Sequence, residues 1–285
     1  MAGVPYCVHS VTSTDGTIIG YRQLGSGAGL ILVHGGMMGS QNFMKLGHAL
    51  ADTFTIYIPD RRGRGLSGSH GNYSLEREAE DMSAVVKITG AANIFGLSSG
   101  AIITLQTALN ERAIENVILY EPPIPVGQYD PTHWVGRYNK EIAQGDFGAA
   151  LLTVADGTNG PTLLTRLRAI TAPLLNDAIR ADMKNVKGDD VSLKELILTM
   201  RYDPQVVVQS TGLIERAKEL RANVLLLGGS KSPGYLNAAL DALQATLPQV
   251  TRVTLGGVGH LSADNGGRPR LVARTLRKFL LDHCN

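Results

Sequence analysis

Two kinds of segment alternate along this chain, and the alternation limits what it can fold into. Residues 30–33, 54–58, 93–95, 116–120, 223–227 and 251–255 form short apolar runs bounded by Gly, Pro, Asn or Asp, the pattern of β-strands. Between and after them, residues 41–51, 74–88, 99–109, 236–247 and 269–281 place apolar side chains at helical spacing. In the second of these, Leu75, Ala79, Met82 and Val86 share one face and Ser74 supplies an N-cap hydroxyl. A run as uniformly apolar as 30–33 suits a strand buried on both faces. Strands alternating with helices therefore imply an α/β architecture, with a mostly parallel sheet covered by helices on both sides. Ahead of it, residues 7–13 and 17–23 flank Asp15-Gly16, which predicts a hairpin.

The alternation stops after Glu121. Pro122, Pro123 and Pro125 break regular structure, and from about 127 to 216 only helical spacing is found. Trp134, Tyr138, Phe147, Leu151, Leu163 and Leu167 supply apolar faces there. The expected organisation is a core of residues 1–126 and 217–285, interrupted by a helical insertion at 127–216.

Composition narrows the class of function without naming it. In 285 residues, 27 Lys and Arg balance 25 Asp and Glu, so nothing argues for nucleic acid or an anionic membrane surface as partner. The two cysteines, Cys7 and Cys284, lie at opposite ends; they make neither a disulfide framework nor a metal-ligand spacing. Residues 1–10 lack a basic start followed by an apolar run, and no apolar stretch approaches the ~20 residues of a membrane helix. A cytoplasmic protein is expected on these grounds. Gly25 to Gly29 superficially resembles a phosphate loop, but it precedes a strand, whereas phosphate binding needs such a loop to open a helix.

The most informative stretch is Gly96-Leu97-Ser98-Ser99-Gly100, which follows a strand and opens a helix. G-x-S-x-G in that setting is a nucleophile elbow: the turn is too tight for side chains two residues either side of the serine, and strained backbone lifts its hydroxyl clear of the sheet. The helix beginning at Ser99 aims its amides and positive dipole end at the same spot. An early strand runs into His34-Gly35-Gly36-Met37, whose turn can direct a backbone N–H at a substrate carbonyl. The Gly36 and Ser99 amides would then form an oxyanion hole. His34 is expected to shape this loop. His260, between the last strand and the last helix, has the place a general base needs; His9, His48, His70, His133 and His283 do not.

With these residues in hand, the chain resembles the α/β-hydrolase fold family over nearly its whole length. The resemblance rests on His34-Gly35-Gly36, on the stretch 60–67 (Asp-Arg-Arg-Gly-Arg-Gly-Leu-Ser), on Gly96 to Gly100, and on Gly259-His260. It implies Ser98 as nucleophile, His260 as base, a structural role for 60–67 including Arg61, Arg62 and Arg64, and a helical cap over the pocket at 127–216. The acid departs from the family's common pattern. The loop after the strand at 223–227 reads Gly-Gly-Ser-Lys-Ser-Pro, with no carboxylate. Zearalenone lactonases and certain haloalkane dehalogenases carry the triad acid after the preceding strand instead, and here that position is Glu121. Asp264 is the alternative; a solvated Glu121 or a dyad without an acid also stays open.

The chemistry so implied is acyl transfer to water, with an ester or lactone bearing an apolar portion as substrate, no metal and no organic cofactor. A serine at the elbow disfavours dehalogenation, for which related enzymes use aspartate. Met37, Trp134 and Tyr138 are the candidate pocket residues; the last two, one helical turn apart, could equally just pack the cap. Amide or C–C bond hydrolysis and perhydrolysis use the same machinery. A slow-turnover or non-hydrolysing small-molecule receptor on the same fold is the reading from another class.

Overall fold

The computed structural model describes residues 5–283; Cys284 and the first four residues of the segment inspected for a leader lie outside them. Eight strands build one sheet: β1 (Cys7–Thr12), β2 (Ile18–Gly25), β3 (Ala28–Val33), β4 (Phe54–Pro59), β5 (Asn93–Leu97), β6 (Asn116–Tyr120), β7 (Asn223–Gly229) and β8 (Val250–Leu255). Their order is β1-β2-β4-β3-β5-β6-β7-β8. The predicted hairpin is β1–β2; β2 also meets β4 antiparallel, and every later neighbouring pair is parallel.

Helices precede, fill and follow the insertion. Before it come α1 (Met44–His48), α2 (Leu75–Thr89) and α3 (Ser99–Asn110). Within it are α4 (Val135–Ala143), α5 (Phe147–Asn159), α6 (Leu163–Arg166), α7 (Arg168–Met183), α8 (Leu193–Thr199), α9 (Asp203–Gln209) and α10 (Leu213–Arg216). After it come α11 (Gly234–Thr246) and α12 (Pro269–Asp282). Ser74 caps α2 as expected, its Oγ accepting from the Arg77 amide at 3.2 Å.

The two-residue period of the strands divides the core in two. Val117 and Leu119 of β6, with Val224 and Leu226 of β7, pack in one cluster with α2, α3 and α11. Ile118 and Tyr120, with Leu225 and Leu227, pack in another with α1 and α12. Alternate side chains therefore point to opposite faces, both are covered, and the central strands have no polar side to show.

The helix expected over 41–51 is broken into a 3₁₀ turn, Ser40–Phe43, and the short α1. Asn265 explains the break. Its side chain donates to the Gln41 carbonyl at 2.7 Å and accepts from the Lys45 amide at 2.8 Å, while its own amide donates to the Asn42 carbonyl at 2.9 Å. Backbone groups that would have closed a regular helix are committed to a distant loop.

Within the insertion, α4, α5, α7 and α8 enclose a small core of their own around Trp134, Tyr138, Val154, Ile179, Ile197 and Met200. Val206 and Val207 of α9 and Leu213 of α10 belong instead to the sheet-side cluster. A seam thus falls between α8 and α9, where Met200 and Asp203 stand.

Candidate active site

The site residues lie along the carboxyl ends of the parallel strands. β3 delivers His34 to Met37, β5 delivers Ser98, β6 delivers Glu121, and the loop after β8 delivers His260. Three non-glycine residues among those described have positive φ: Met37 (52°), Ser98 (58°) and Glu121 (48°). All three sit in this row, where a strand's direction is abruptly broken. Backbone strain of this kind persists only where the surroundings fix it, and it gathers at functional sites.

At the elbow, the Ser98 amide donates to the Tyr120 carbonyl at 2.9 Å and its carbonyl accepts from Ala101 at 2.8 Å, so the residue closes β5 and opens α3 together. A Cβ on Gly100 would collide with the carbonyl oxygens of Val33 and His34; one on Gly96 would collide with the Gly100 carbonyl and the Thr104 hydroxyl. Only glycine lets α3 begin this close to β3. That closeness brings Gly35 into contact with Ser98: a Cβ on Gly35 would stand 3.1 Å from the Ser98 Cβ. Gly36 and Ser99 line the same cavity as Ser98.

His34 is not placed for proton transfer to a substrate. It is fully buried, its Nε2 accepts from the Arg61 amide at 3.2 Å, and its Nδ1 donates to the Gly35 carbonyl at 2.9 Å. Burial, and then the Arg61 and Arg64 charges, hold its pKa well below the ordinary histidine range.

His260 is different. Its Nδ1 is 2.7 Å from Glu121 Oε2, and Glu121 Oε1 accepts from the Gly229 amide at 2.6 Å. A carboxylate can only accept there, so Nδ1 carries the proton and Nε2 is left as a base. The Tyr120 hydroxyl donates to the Gly259 carbonyl at 3.0 Å and anchors the loop just before the ring. Room for Glu121 comes from the end of β7: a Cβ on Gly228 would stand 3.1 Å from Glu121 Oε1. Asp264 is turned elsewhere, accepting from Asn42 Nδ2 at 2.9 Å and from the Gly266 amide at 2.7 Å.

Behind Gly36 and Ser99 lies a buried ionic cluster whose acidic members the sequence did not reveal. Arg61 donates to Glu78 Oε1 through Nε at 3.0 Å and Nη2 at 2.8 Å, and Nη1 reaches Asp203 Oδ1 at 2.8 Å. Arg64 Nη2 reaches Asp203 Oδ2 at 2.8 Å, and the Ser99 hydroxyl donates to Asp203 Oδ1 at 2.6 Å. Burial alone would raise the Asp203 pKa, but Arg61, Arg64 and the Ser99 hydrogen bond more than offset it and bring it to about 2. Arg62 pairs with Asp81 at 2.7 Å, so all three arginines of the 60–67 loop face carboxylates in the interior. An Asp-Pro pair at a helix start reads from sequence as no more than a helix start, which is why Asp203 gave no signal.

Ser98, His260, Gly36, Ser99, Met37 and Trp134 line one cavity of about 190 Å³ beneath the insertion. At about 30 Å³ per water in the liquid, that is room for roughly six of them, a small molecule. The rest of its wall is mostly aliphatic, with Leu151, Val154, Met200 and Val207, and no Lys or Arg lines it. Tyr235 lines it too; its hydroxyl donates to the Thr158 carbonyl at 2.9 Å and its ring stacks on Tyr129 at 4.7 Å. Tyr138 is not among the lining residues. Its ring meets Trp134 edge-on and its hydroxyl donates to the Ile197 carbonyl at 2.7 Å, inside the core of the insertion. Among the described residues, no three His, Cys, Asp or Glu side chains are grouped so as to hold a metal ion, and no helix is long and apolar enough to cross a membrane.

Comparison with known proteins gives a consistent result. Residues 30–266 match the family model described as alpha/beta hydrolase fold. Over 114 residues the chain is 33% identical to the uncharacterized hydrolase YraK of Bacillus subtilis, a match covering 38% of this chain and 42% of that one. The match thus spans less than half the length of this curated relative. An alpha/beta hydrolase from Sphaerobacter thermophilus is similar in structure, with a TM-score of 0.77, 28% identity, and coverage of 95% of this chain and 100% of its own. The enol-lactonase from Burkholderia xenovorans shares the fold at a TM-score of 0.70 and 19% identity, covering 97% of this chain and 100% of its own.

Proposed function

Because the chain belongs to the alpha/beta hydrolase fold family, we propose that it is a serine hydrolase that cleaves a neutral carboxylic ester or lactone through an acyl-enzyme on Ser98. The observation that carries this reading is the 2.7 Å contact between His260 Nδ1 and Glu121 Oε2, in a site that also presents Ser98 on a strained elbow. Glu121 fixes the tautomer that leaves His260 Nε2 basic and stabilises the imidazolium that forms.

His260 Nε2 takes the Ser98 proton as Oγ bonds to the substrate carbonyl carbon, and the carbonyl electron pair moves to oxygen. The Gly36 and Ser99 amides hold that oxyanion, helped by the N-terminal end of α3. The tetrahedral adduct collapses, the carbon–oxygen bond to the leaving alcohol breaks, and His260 protonates that alcohol. Water then attacks the acyl-enzyme with His260 as base, releasing acid and restoring Ser98. For a lactone the leaving alcohol stays tethered to the acyl group.

The wall of the cavity supports a neutral substrate. The arginines nearest to it, Arg61 and Arg64, are engaged by Glu78 and Asp203 and lie outside the lining. A substrate carboxylate would be desolvated there without a cationic partner. The test is labelling with a fluorophosphonate probe, locating the adduct by peptide mass, and comparing wild type with Ser98→Ala and His260→Ala. Labelling at Ser98 that depends on His260 is expected, with turnover of neutral esters or lactones. A folded protein that stays unlabelled, or that binds such compounds tightly without turning them over, would overturn the reading.

A further inference from the structure

Both residues assigned to the oxyanion hole touch one carboxylate that belongs to neither of their loops. Asp203, the first residue of α9, accepts the Ser99 hydroxyl at 2.6 Å. Its carboxyl group also packs against Gly36: a Cβ there would stand 3.1 Å from Asp203 Cγ and 3.2 Å from Oδ2. Arg61 Nη1, itself bonded to Asp203 Oδ1 at 2.8 Å, donates to the same Ser99 hydroxyl at 3.0 Å, so the three groups form one triangle. The Asp203 side chain borders the cavity but is only 3% exposed, and Arg61 and Arg64 are sealed completely, so water competes little for these contacts.

We infer that Asp203 is a positioning residue for the oxyanion hole: one side chain, brought in from the insertion, sets the spacing between the Gly36 and Ser99 amides. The inference rests on the reading of Ser98 as nucleophile. An oxyanion hole works only when its donors stand about 2.7–3.1 Å from where the charge develops, so a small drift of either amide lowers the rate. The elbow places the Ser99 amide and the loop after β3 places the Gly36 amide; the Gly35–Ser98 contact brings the two segments together, and the outer ends that carry the two donors are bridged by one further side chain. Asp203 meets both. A bare carboxylate so close to a developing oxyanion would oppose it electrostatically. The paired guanidiniums cancel that charge, and they also hold Asp203 ionised to about pH 2.

The placement at the seam adds a second consequence. Met200, at the end of α8, also presses on Gly36, its Sδ standing 2.9 Å from where a Cβ would be. Seating the insertion on the sheet and bringing the oxyanion donors to their spacing are therefore one packing event.

The experiment uses the full chain and p-nitrophenyl butyrate, with fluorophosphonate labelling of Ser98 as a check on the underlying reading. Asp203→Asn and Ser99→Ala are each expected to lower kcat about 10- to 100-fold with KM changed less than about threefold, short of the 10²–10³ lost with a whole donor. The double variant should lose no more than the worse single one, because both break the same link. Glu141→Gln, which breaks the ion pair to Arg168 inside the insertion, should lower the melting temperature and leave kcat alone. If Asp203→Asn behaves like Glu141→Gln, or if the two losses multiply in the double variant, the inference fails while the serine mechanism stands. If Asp203→Asn does not fold, Ser99→Ala alone decides, and an unchanged kcat overturns the inference. Wild-type protein that is not labelled at Ser98 overturns the nucleophile reading and this inference with it.

Discussion

Ser98 and Glu121 occupy equivalent places on neighbouring strands. Leu97 and Tyr120 are register partners and the last residues of β5 and β6, and the residue after each turns to positive φ. The Ser98 amide even completes the ladder by bonding to the Tyr120 carbonyl at 2.9 Å. The proposed nucleophile and acid are thus set at one level of the sheet, and His260 meets Glu121 from the loop after β8.

This arrangement predicts opposite outcomes for two carboxylates. In Glu121→Gln, the amide group donates to His260 Nδ1 and forces the proton onto Nε2, so kcat should fall by about 10⁴. Asp264→Asn leaves the ring untouched and should stay within about threefold of wild type. Steady-state rates on one neutral ester decide between them; the reverse ranking would move the acid to Asp264.

Trp134 and Tyr138 should also separate. Trp134→Ala enlarges the cavity and should raise KM for bulky aryl esters more than for short-chain ones. Tyr138→Phe removes one of two hydrogen bonds to the buried Ile197 carbonyl, which keeps the Met200 amide, and should cost about 0.5–1.5 kcal/mol in urea unfolding without changing substrate ranking. A changed ranking in Tyr138→Phe would place that side chain against substrate.

The absence of a lining cation predicts charge selectivity. A neutral butyrate ester should turn over at least about tenfold faster, by kcat/KM, than the matching hemisuccinate, whose free carboxylate finds no partner in the cavity. Equal rates would mean that an arginine reaches the bound substrate.

Acid stability follows from Asp203. Its folded pKa of about 2 lies below the ordinary 3.8, so its ionised form stabilises the fold fully above pH ~4, and that contribution disappears as pH falls through about 2. The gap is worth on the order of 2 kcal/mol. In urea unfolding at a series of pH values, the difference between wild type and Asp203→Asn should be largest above pH ~4 and shrink toward pH ~2. A constant difference would place the Asp203 contribution elsewhere than in its charge.

Much of this was legible along the chain because the relevant signals are local. The strand-to-helix switch at Gly96 to Gly100, the turn at Asp15-Gly16 and the capped period of α2 are each set by neighbours in sequence. Glu121 came from the resemblance: with no carboxylate after β7, the family members that carry the acid after the preceding strand pointed to it. What escaped depends on distant partners. Asn265 rewrites the hydrogen bonding of residues 41–45, Ile197 draws the Tyr138 hydroxyl away from the cavity, and Asp203 matters only once Arg61, Arg64 and Ser99 converge on it. No periodicity encodes such meetings. The strain at Met37 and Glu121 was equally silent, because neither residue type signals a left-handed backbone.

With the acid proposed at the end of β6, the turn after β7 has no carboxylate to supply. Residues 230–233 carry none of the proton-transfer chain, and the helix they lead into spends Tyr235 on the insertion instead, holding the Thr158 carbonyl and stacking on Tyr129. That turn also holds the loop leading to His260, since the Ser230 hydroxyl accepts from the Gly257 amide at 2.8 Å and the Lys231 amide donates to the Val258 carbonyl at 2.9 Å, so only substitutions that keep these bonds can alter the cavity wall alone. One turn thus tethers both the wall of the cavity and the loop that bears His260, so the range of substrates can drift there only where those bonds survive.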